Sequence, residues 1–269
     1  MKSVFAALIV SLTSLSFSAQ ADNQAFQSGI MQATGFGTVD MSKVANKVQA
    51  RFMAKRAAQV DAQRNLAEQI RGIRLTAGTT VEDYEVTSDV IATRVKGTLE
   101  GAFIVDSKLS QEDGTYVAEV TVGVCINAQS TQCRNKQNLK QALVDALPAK
   151  TNEPAAPVYV PSAEVKPTQV HSAFILDAST QAYTASLVTQ VFTNDGKLVL
   201  SSKDFEQHPT KSVVWSQDAS EFDSFLPVKI KVERTINGSD LVVSNQDAAA
   251  ILANVERHSM DGILVILSK

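Results

Sequence analysis

The chain has 269 residues and a net charge of −3, with 44% hydrophobic and 20% charged residues. This is the composition of a globular protein with room for two hydrophobic cores. Nucleic-acid-binding proteins are normally basic, so the charge argues against nucleic acid as a partner. After the first residues, no stretch approaches the ~18 apolar residues that a membrane-spanning helix needs, so we expect no transmembrane segment.

Residues 1–21 are predicted to be a signal peptide. Lys2 provides a minimal basic start, residues 4–15 are apolar, and Ala19-Gln20-Ala21 fits the small-x-small pattern of a cleavage site. Cleavage before Asp22 yields an exported protein. We expect it in the periplasm, peripheral to the outer membrane, with secretion from the cell as an open alternative.

Cys125 and Cys133 are the two cysteines of the chain. Disulfides form in the compartments that receive exported proteins, so a structural disulfide is favoured over two free thiols. A metal site is the least favoured alternative, because two thiols are too few ligands and no histidine or second cysteine pair lies nearby. No cofactor is expected.

Residues 22–147 are predicted to form an α+β domain, with one sheet covered by one long and one shorter helix. The predicted elements, in order, are a strand over Ile30–Asp40, a helix over Lys43–Arg74, a strand over Ile73–Thr80, a helix over Ser88–Leu99, a hairpin of Ala102–Leu109 and Tyr116–Val124, and a helix over Arg134–Leu147.

The long helix is the element around which this domain is organised. Asp40 or Ser42 is expected to cap it, and Gly72 to end it. At 100° per residue, an apolar stripe roughly 120° wide is predicted to face the sheet. Its members are Val44, Val48, Phe52, Ala58, Ala62, Leu66 and Ile70, and a thinner second row holds Met53, Val60 and Ala67.

Residues Ala54–Leu66, Gly72, Thr79-Thr80-Val81 and Val95–Ala102 resemble a known family. The chain over about Ile30–Val124 is similar to the outer-membrane lipoproteins typified by flagellar assembly lipoprotein P, and to the N-terminal domain of a periplasmic flagellar-ring protein. The resemblance implies a compact α+β domain that builds or stabilises disc- and ring-like structures, with no enzymatic activity. The chain departs from this family in having no cysteine near the predicted cleavage site to carry a lipid.

Residues 148–169 hold five of the seven prolines and are predicted to be an extended linker. A second small α+β domain is predicted over residues 170–269. Its strands are Val170–Leu176, Ala185–Phe192, Lys197–Ser201, Val228–Thr235, Asp240–Ser244 and Ile263–Leu267, with turns at Asn194-Asp195-Gly196 and Asn237-Gly238 and a helix that starts at Ser244. Five apolar residues in a row predict that the last strand is covered on both faces.

The charges of the first domain are divided between two segments. Lys43–Arg74 has eight basic and two acidic residues, whereas Glu82–Glu119 has nine acidic and three basic ones. The ordinary interpretation is that these charged residues lie on solvated surfaces. The alternative hypothesis is head-to-tail self-association into a homo-oligomer, in which the basic helix of one copy contacts the acidic surface of the next. Its candidate residues are Arg51, Lys55, Arg56, Arg64, Arg71, Arg74, Glu82, Asp83 and Glu85. A further hypothesis is that the basic face of the long helix binds anionic lipid of the envelope.

No residue pattern indicates catalysis, and we expect no enzyme. Trp215, with Phe205, Phe222 and Phe225 nearby, could form an aromatic ligand platform, although such residues more often fill a core. The sequence therefore predicts a non-enzymatic structural or assembly protein of the cell envelope, associated with the flagellum or the outer membrane, whose partners are envelope or flagellar basal-structure proteins. The alternative is a periplasmic module that binds glycan or peptidoglycan through the second domain.

Overall fold

A computed structural model describes residues 17–147, 156–161, 171, 173–206, 211–257 and 262–269. Most of the predicted signal peptide (residues 1–16) and most of the predicted linker (148–155 and 162–170) lie outside the described residues. The described chain mixes helices and sheets throughout, which confirms the predicted α+β fold class.

The first unit contains five helices and five strands among its described residues. In chain order these are α1 (Phe17–Ser28), β1 (Ile30–Asp40), α2 (Lys47–Gly72), β2 (Arg74–Thr76), β3 (Thr79–Thr80), α3 (Val81–Thr87), α4 (Asp89–Glu100), β4 (Phe103–Glu112), β5 (Thr115–Cys125) and α5 (Leu139–Val144). An antiparallel sheet in the order β1-β5-β4 forms its centre, and β2 and β3 pair separately.

Helix α2 packs chiefly on β1 and β5 through a row of residues spaced four apart. This row is Ala50, Ala54, Ala58, Ala62, Leu66 and Ile70, all fully buried. The helix backbone lies very close to the two glycines of β1. A Cβ atom on Gly35 would stand 2.1 Å from the Ala62 nitrogen, and one on Gly37 would stand 2.3 Å from the Ala54 carbonyl oxygen.

The apolar stripe predicted to face the sheet is therefore partly wrong. Its C-terminal members are buried as predicted, but Val48 is 60% and Phe52 is 70% exposed. The reason is steric, because the N-terminal half of the helix meets the sheet through alanines, and side chains as large as valine or phenylalanine do not fit there. The predicted second row is largely exposed as well, with Met53 and Val60 facing solvent.

The predicted start of α2 is also wrong. Asn46 caps the helix, and its side-chain oxygen accepts a hydrogen bond from the Gln49 N–H at 2.8 Å. Asp40 instead caps a short 3₁₀ turn, Met41–Lys43, that precedes α2. The end at Gly72 is confirmed.

Two short strands, β2 and β3, replace the single strand that was predicted over Ile73–Thr80, and helix α3 follows them. Helix α3 begins with a capping box. The Thr80 hydroxyl oxygen accepts from the Asp83 N–H at 3.3 Å, and the Asp83 carboxylate accepts from the Thr80 N–H at 2.8 Å. The short loop between β2 and β3 contains Gly78, whose φ of +80° favours glycine.

The remaining predictions for the first unit are largely confirmed. Ser88 caps α4, and Gly101 follows its last residue. The β4–β5 hairpin turns at Asp113 and Gly114, whose φ angles of +45° and +77° belong to the tight turn that this dipeptide favours. Helix α5 is shorter than the predicted Arg134–Leu147, because Asn138 caps it only four residues before its buried Ala142.

The second unit consists mostly of short strands. These are β6 (Ala173–Asp177), β7 (Gln190–Thr193), β8 (Leu198–Ser201), β9 (Lys211–Ser216), β10 (Val228–Lys231), β11 (Arg234–Ile236), β12 (Asp240–Val243) and β13 (Gly262–Leu267). Helices α6 (Ser202–Glu206) and α7 (Asn245–Arg257) and a 3₁₀ helix over Ala219–Phe225 complete it. One sheet has the all-parallel order β10-β6-β13-β9, and the other has the mixed order β11-β12-β7-β8.

Strand β13 lies between β6 and β9, and its residues 264–267 are buried, as predicted for a strand covered on both faces. The two predicted turns at Gly196 and at Asn237-Gly238 are confirmed by their positive φ angles. The predicted strand over Val228–Thr235 is wrong. It divides into β10, which pairs in parallel with β6, and β11, which pairs with β12 across the turn.

The two units are joined by hydrogen bonds and by a shared hydrophobic core. The Leu187 and Val188 N–H groups donate to the carbonyl oxygens of Arg74 and Leu75 in β2, each at 2.9 Å. In α1, the Asn23 side chain donates to the Tyr183 carbonyl at 3.0 Å and accepts from the Ala185 N–H at 2.7 Å. The predicted domain division stays a prediction, but the described parts of both units pack as one body.

Candidate functional site

The predicted disulfide is present. Cys125, the last residue of β5, bonds to Cys133, and their Cα atoms lie 5.6 Å apart. Both residues are buried, and the bond closes the short loop that leads from the sheet towards α5. The two cysteines of the sequence therefore serve the fold.

The charged residues predicted for self-association divide into two groups. Several make contacts within the chain. Arg71 Nε donates to Glu85 Oε2 at 2.9 Å, Arg64 pairs with Asp61 at 3.0 Å, and the Asp83 carboxylate accepts from the Thr80 N–H in the capping box of α3. Arg74 contacts the Asn237 carbonyl and the Ser239 hydroxyl in the second unit.

The other group, Arg51, Lys55, Arg56 and Glu82, is exposed. Arg51 and Lys55 lie beside the buried row of α2, and Arg56 lies on the opposite side of the helix. The intermolecular contact itself stays a prediction.

We define the outer face of α2 as its exposed residues between Lys47 and Arg64. Four large apolar side chains on this face are between 46% and 70% exposed, namely Val48, Phe52, Met53 and Val60. The segment Lys47–Val60 carries four basic residues and no acidic one. A shallow depression on this face is lined by Met53, Ala57 and Val60 together with the charged residues Arg56, Asp61 and Arg64. Sequence reasoning identified the basic residues, but it placed Val48 and Phe52 in the core.

A second exposed surface is the free edge of β4. Strand β4 hydrogen-bonds to β5 on one side and is the last strand of its sheet. Ile104 and Val105 are exposed near its start, where a bulge interrupts the register with β5. Exposed edges of this kind are sites where another strand can pair.

Trp215 fills the core, as the favoured interpretation of the sequence has it, and does not form the alternative aromatic platform. Its side chain is 1% exposed, packs edge-on against Phe26 at 4.9 Å, and donates from Nε1 to the Tyr183 hydroxyl at 3.1 Å. Phe205 and Phe222 are also buried. Strand β9, which sequence reasoning missed, carries Trp215 into the core beside α1.

The shifted pKa values have structural causes. Burial raises the pKa of Tyr183 to about 12. Hydrogen bonds from Ser42 lower the pKa of Asp40, and bonds from Thr80 lower that of Asp83, both at turns or caps. Across the described ranges, no group of three or more His, Cys, Asp or Glu residues could hold a metal ion.

A cleft of about 500 Å³ lies between the loop after β5, helix α5 and strand β9. Lys140, Lys203 and Lys211 line it together with Gln129 and Asp145. Its described lining contains no histidine or cysteine.

Residues 20–123 match the LPP20 lipoprotein family. No curated protein matches the chain. Among the described helices, none is both long and apolar enough to cross a membrane. The matched segment contains α2 and nearly the whole β1-β5-β4 sheet, and thus both exposed surfaces described above. In this part, the chain is similar to a family of envelope lipoproteins associated with the outer membrane.

Proposed function

We propose that this protein is an exported, non-enzymatic component of the cell envelope that helps to assemble a structure at the outer membrane or the flagellar base. It would act by contacts with other envelope proteins. The family match over residues 20–123 supports the envelope assignment. The resemblance to flagellar lipoproteins supports the more specific assignment to the flagellar base. The structural observation that carries the proposal is the free edge of β4.

The backbone of β4 is available for pairing. Glu112 and Thr115 flank the two-residue turn of the hairpin, so their backbone groups bond to each other across β4 and β5. The Ser107 N–H donates at 2.8 Å to the carboxylate of its neighbour Asp106, which a partner strand would have to displace. Both backbone polar groups of a strand residue point to the same side, and the side alternates along the strand. Ser107, Leu109 and Gln111 therefore direct their N–H and C=O groups towards the free edge.

The side chains of β4 favour a selective partner. Ile104 and Val105 offer apolar contacts, while Asp106 and Lys108 place opposite charges near the middle of the edge. Charged residues on an edge hinder indiscriminate pairing, whereas an extended segment with matching charges can add to the sheet as a further strand. We propose that such a segment of an envelope protein is the partner.

Photocrosslinking in living cells tests this contact. A photoreactive residue at Ile104 or Val105 should yield a discrete adduct with a protein, and the same residue at Val86 on α3, which is 83% exposed, should not. Ser107→Pro should abolish the adduct, because a proline ring would block the partner strand while the hydrogen bonds to β5 remain. Ser110→Ala serves as the matched control.

A functional assay tests the assembly role. A deletion strain should lose motility or outer-membrane integrity, and the wild-type gene should restore it, whereas Ser107→Pro should not. Normal motility and envelope integrity in the deletion strain would contradict the proposal.

Head-to-tail self-association is the second candidate, favoured by the exposure of Arg51, Lys55, Arg56 and Glu82. It predicts oligomers that dissociate as salt rises, because charges on the surface are screened within about 10 Å at 0.1 M. Strand pairing at β4 requires a different envelope protein, so it predicts that the purified protein alone is a monomer at every salt concentration. Sedimentation of the purified protein across a salt series separates the two, and a monomer at every salt concentration would reject self-association.

A further inference from the structure

We infer that the outer face of α2 binds the surface of a membrane that contains anionic phospholipid. This inference concerns a different surface from the β4 edge and does not depend on a protein partner. It follows from the apolar residues on this face, from the positive charge of the face, and from the contacts that acidic residues elsewhere in the chain already make.

The apolar residues of the outer face contribute to no core of the described chain. Val48, Phe52, Met53 and Val60 lie within an arc of about 140° when placed at 100° per residue. Single exposed apolar residues are ordinary, but four large ones on three to four turns of one helix form a patch. The alanine row on the opposite side already packs the helix against the sheet, so this patch is free to contact something else.

The charge of the face complements a phospholipid headgroup layer. Lys47, Arg51, Lys55 and Arg56 are all exposed, and no acidic residue occurs between Lys47 and Val60. Lysine and arginine side chains can extend from an apolar contact surface to reach phosphate groups. A helix with apolar residues beside basic ones lies in the plane of a membrane interface, where both kinds of contact are satisfied together.

A second copy of the chain fits this face less well. Of the three acidic residues predicted to meet it, Glu85 is paired with Arg71 and Asp83 is held in the capping box of α3, which leaves Glu82 alone against four basic residues. An acidic protein surface would also leave Phe52 and Val60 without apolar contacts. A lipid surface offers phosphate and acyl chains along the whole length of the face.

The proposed orientation leaves the β4 edge accessible. Helix α2 lies over β1 and β5, and β4 is at the opposite side of the sheet from β1. With α2 on the membrane, the sheet lies above the helix and its free edge remains open to a protein partner. One unit can thus contact lipid and protein at the same time.

Vesicle flotation tests the inference, using the protein purified after export. We expect it to float with vesicles of phosphatidylcholine that contain about one-third phosphatidylglycerol, and not with vesicles of phosphatidylcholine alone. Arg51→Gln with Lys55→Gln should weaken this binding about thirtyfold, because each basic residue near an anionic surface strengthens binding by about a factor of five. Phe52→Ser with Val60→Ser should weaken it at least fivefold by removing apolar insertion.

Val86→Ser, on the exposed surface of α3, is the control and should bind as the wild type does. Circular dichroism melting should show all variants folded, since every substituted side chain is exposed. Absence of flotation at low salt, equal flotation with both vesicle types, or unchanged binding by the serine variants would overturn the inference. Salt-sensitive oligomers without flotation would assign the face to a second copy and overturn it as well.

Discussion

The two units of the molecule use their sheets in opposite ways. In the β1-β5-β4 sheet, α2 covers one face, and the other faces solvent through residues such as Gln32, Phe36 and Thr38. In the parallel sheet of the second unit, the central strand β13 is buried along residues 264–267. The second unit therefore uses its sheet for stability, whereas the first retains a free face, a free edge and an exposed helix side for contacts.

Removal of β13 should have the largest effect. A chain lacking Gly262–Lys269 loses the strand that pairs with both β6 and β9, and we expect no cooperative thermal transition by circular dichroism. Lys231→Ala, on the exposed side of edge strand β10, should change stability by less than about 0.5 kcal/mol. A soluble truncated protein that melts cooperatively would show that the second unit does not depend on its central strand.

Gly35→Ala should destabilise the first unit by about 3 kcal/mol or more, because its Cβ would overlap the backbone of α2. The free energy of unfolding in urea measures this. The matched control is Gly97→Ala in α4, where a Cβ meets no atom within 4 Å. That substitution should be neutral or stabilise by up to about 1 kcal/mol. Equal behaviour of the two variants would mean that α2 does not lie close against β1.

Replacement of both Cys125 and Cys133 by alanine should lower the free energy of unfolding by about 2.5 kcal/mol. This is the chain-entropy value for a loop of about nine residues. Adding a reductant to the wild type should give a similar loss, and adding it to the double variant should give none. The bond would have no role in stability if the wild type and the variant unfolded at the same urea concentration.

The core of the second unit should lose stability at alkaline pH. Burial raises the pKa of Tyr183 to about 12, so above pH 10 the unfolded chain releases this proton and the folded chain retains it. Its contribution is complete below pH 10 and is lost between about pH 10 and 12, with a slope near 1.4 kcal/mol per pH unit. Urea titrations of the wild type and Tyr183→Phe should differ by this slope. If the free energy of unfolding changed with pH in the same way for both proteins, the Tyr183 hydroxyl would be accessible to solvent.

Phe36→Thr should have the smallest effect. The Phe36 side chain is 58% exposed on the open face of the first sheet, and threonine suits a strand equally well. We expect a change in the free energy of unfolding within about 0.5 kcal/mol. A loss above about 1 kcal/mol would show that this face is covered within the chain, and the contrast between the two units would then fail.

Local features of this fold were predictable from the sequence. The turns at Asp113-Gly114 and Asn237-Gly238 follow from residue types that tolerate positive φ, and the helix start at Ser244 follows from a side chain that accepts a free N–H group. The cap of α2 was predicted at Asp40 or Ser42 because several capping residues precede this helix, and Asn46 is the one that caps it. Such features depend on a few adjacent residues, so the chain specifies them without reference to tertiary structure.

Features that depend on distant residues were not predictable. Hydrophobicity placed Val48 and Phe52 against the sheet, but Gly35 and Gly37 select the alanine side of α2 by size alone. Strand β10 was assigned to the following hairpin because its true partner, β6, lies about fifty residues earlier. The sequence therefore predicted the basic residues of the candidate lipid-binding face, but it did not predict that apolar residues are exposed beside them.

The connection at β2 has a mechanical consequence. Two backbone hydrogen bonds, from Leu187 and Val188 to the carbonyl groups of Arg74 and Leu75, run side by side between the units. The Arg74 guanidinium donates a third hydrogen bond, to the Asn237 carbonyl oxygen in the turn of the second unit. A load applied to α2 while the second unit is held elsewhere passes through this connection, and also through the contacts of α1 and the shared core. A pull on one unit therefore displaces the other.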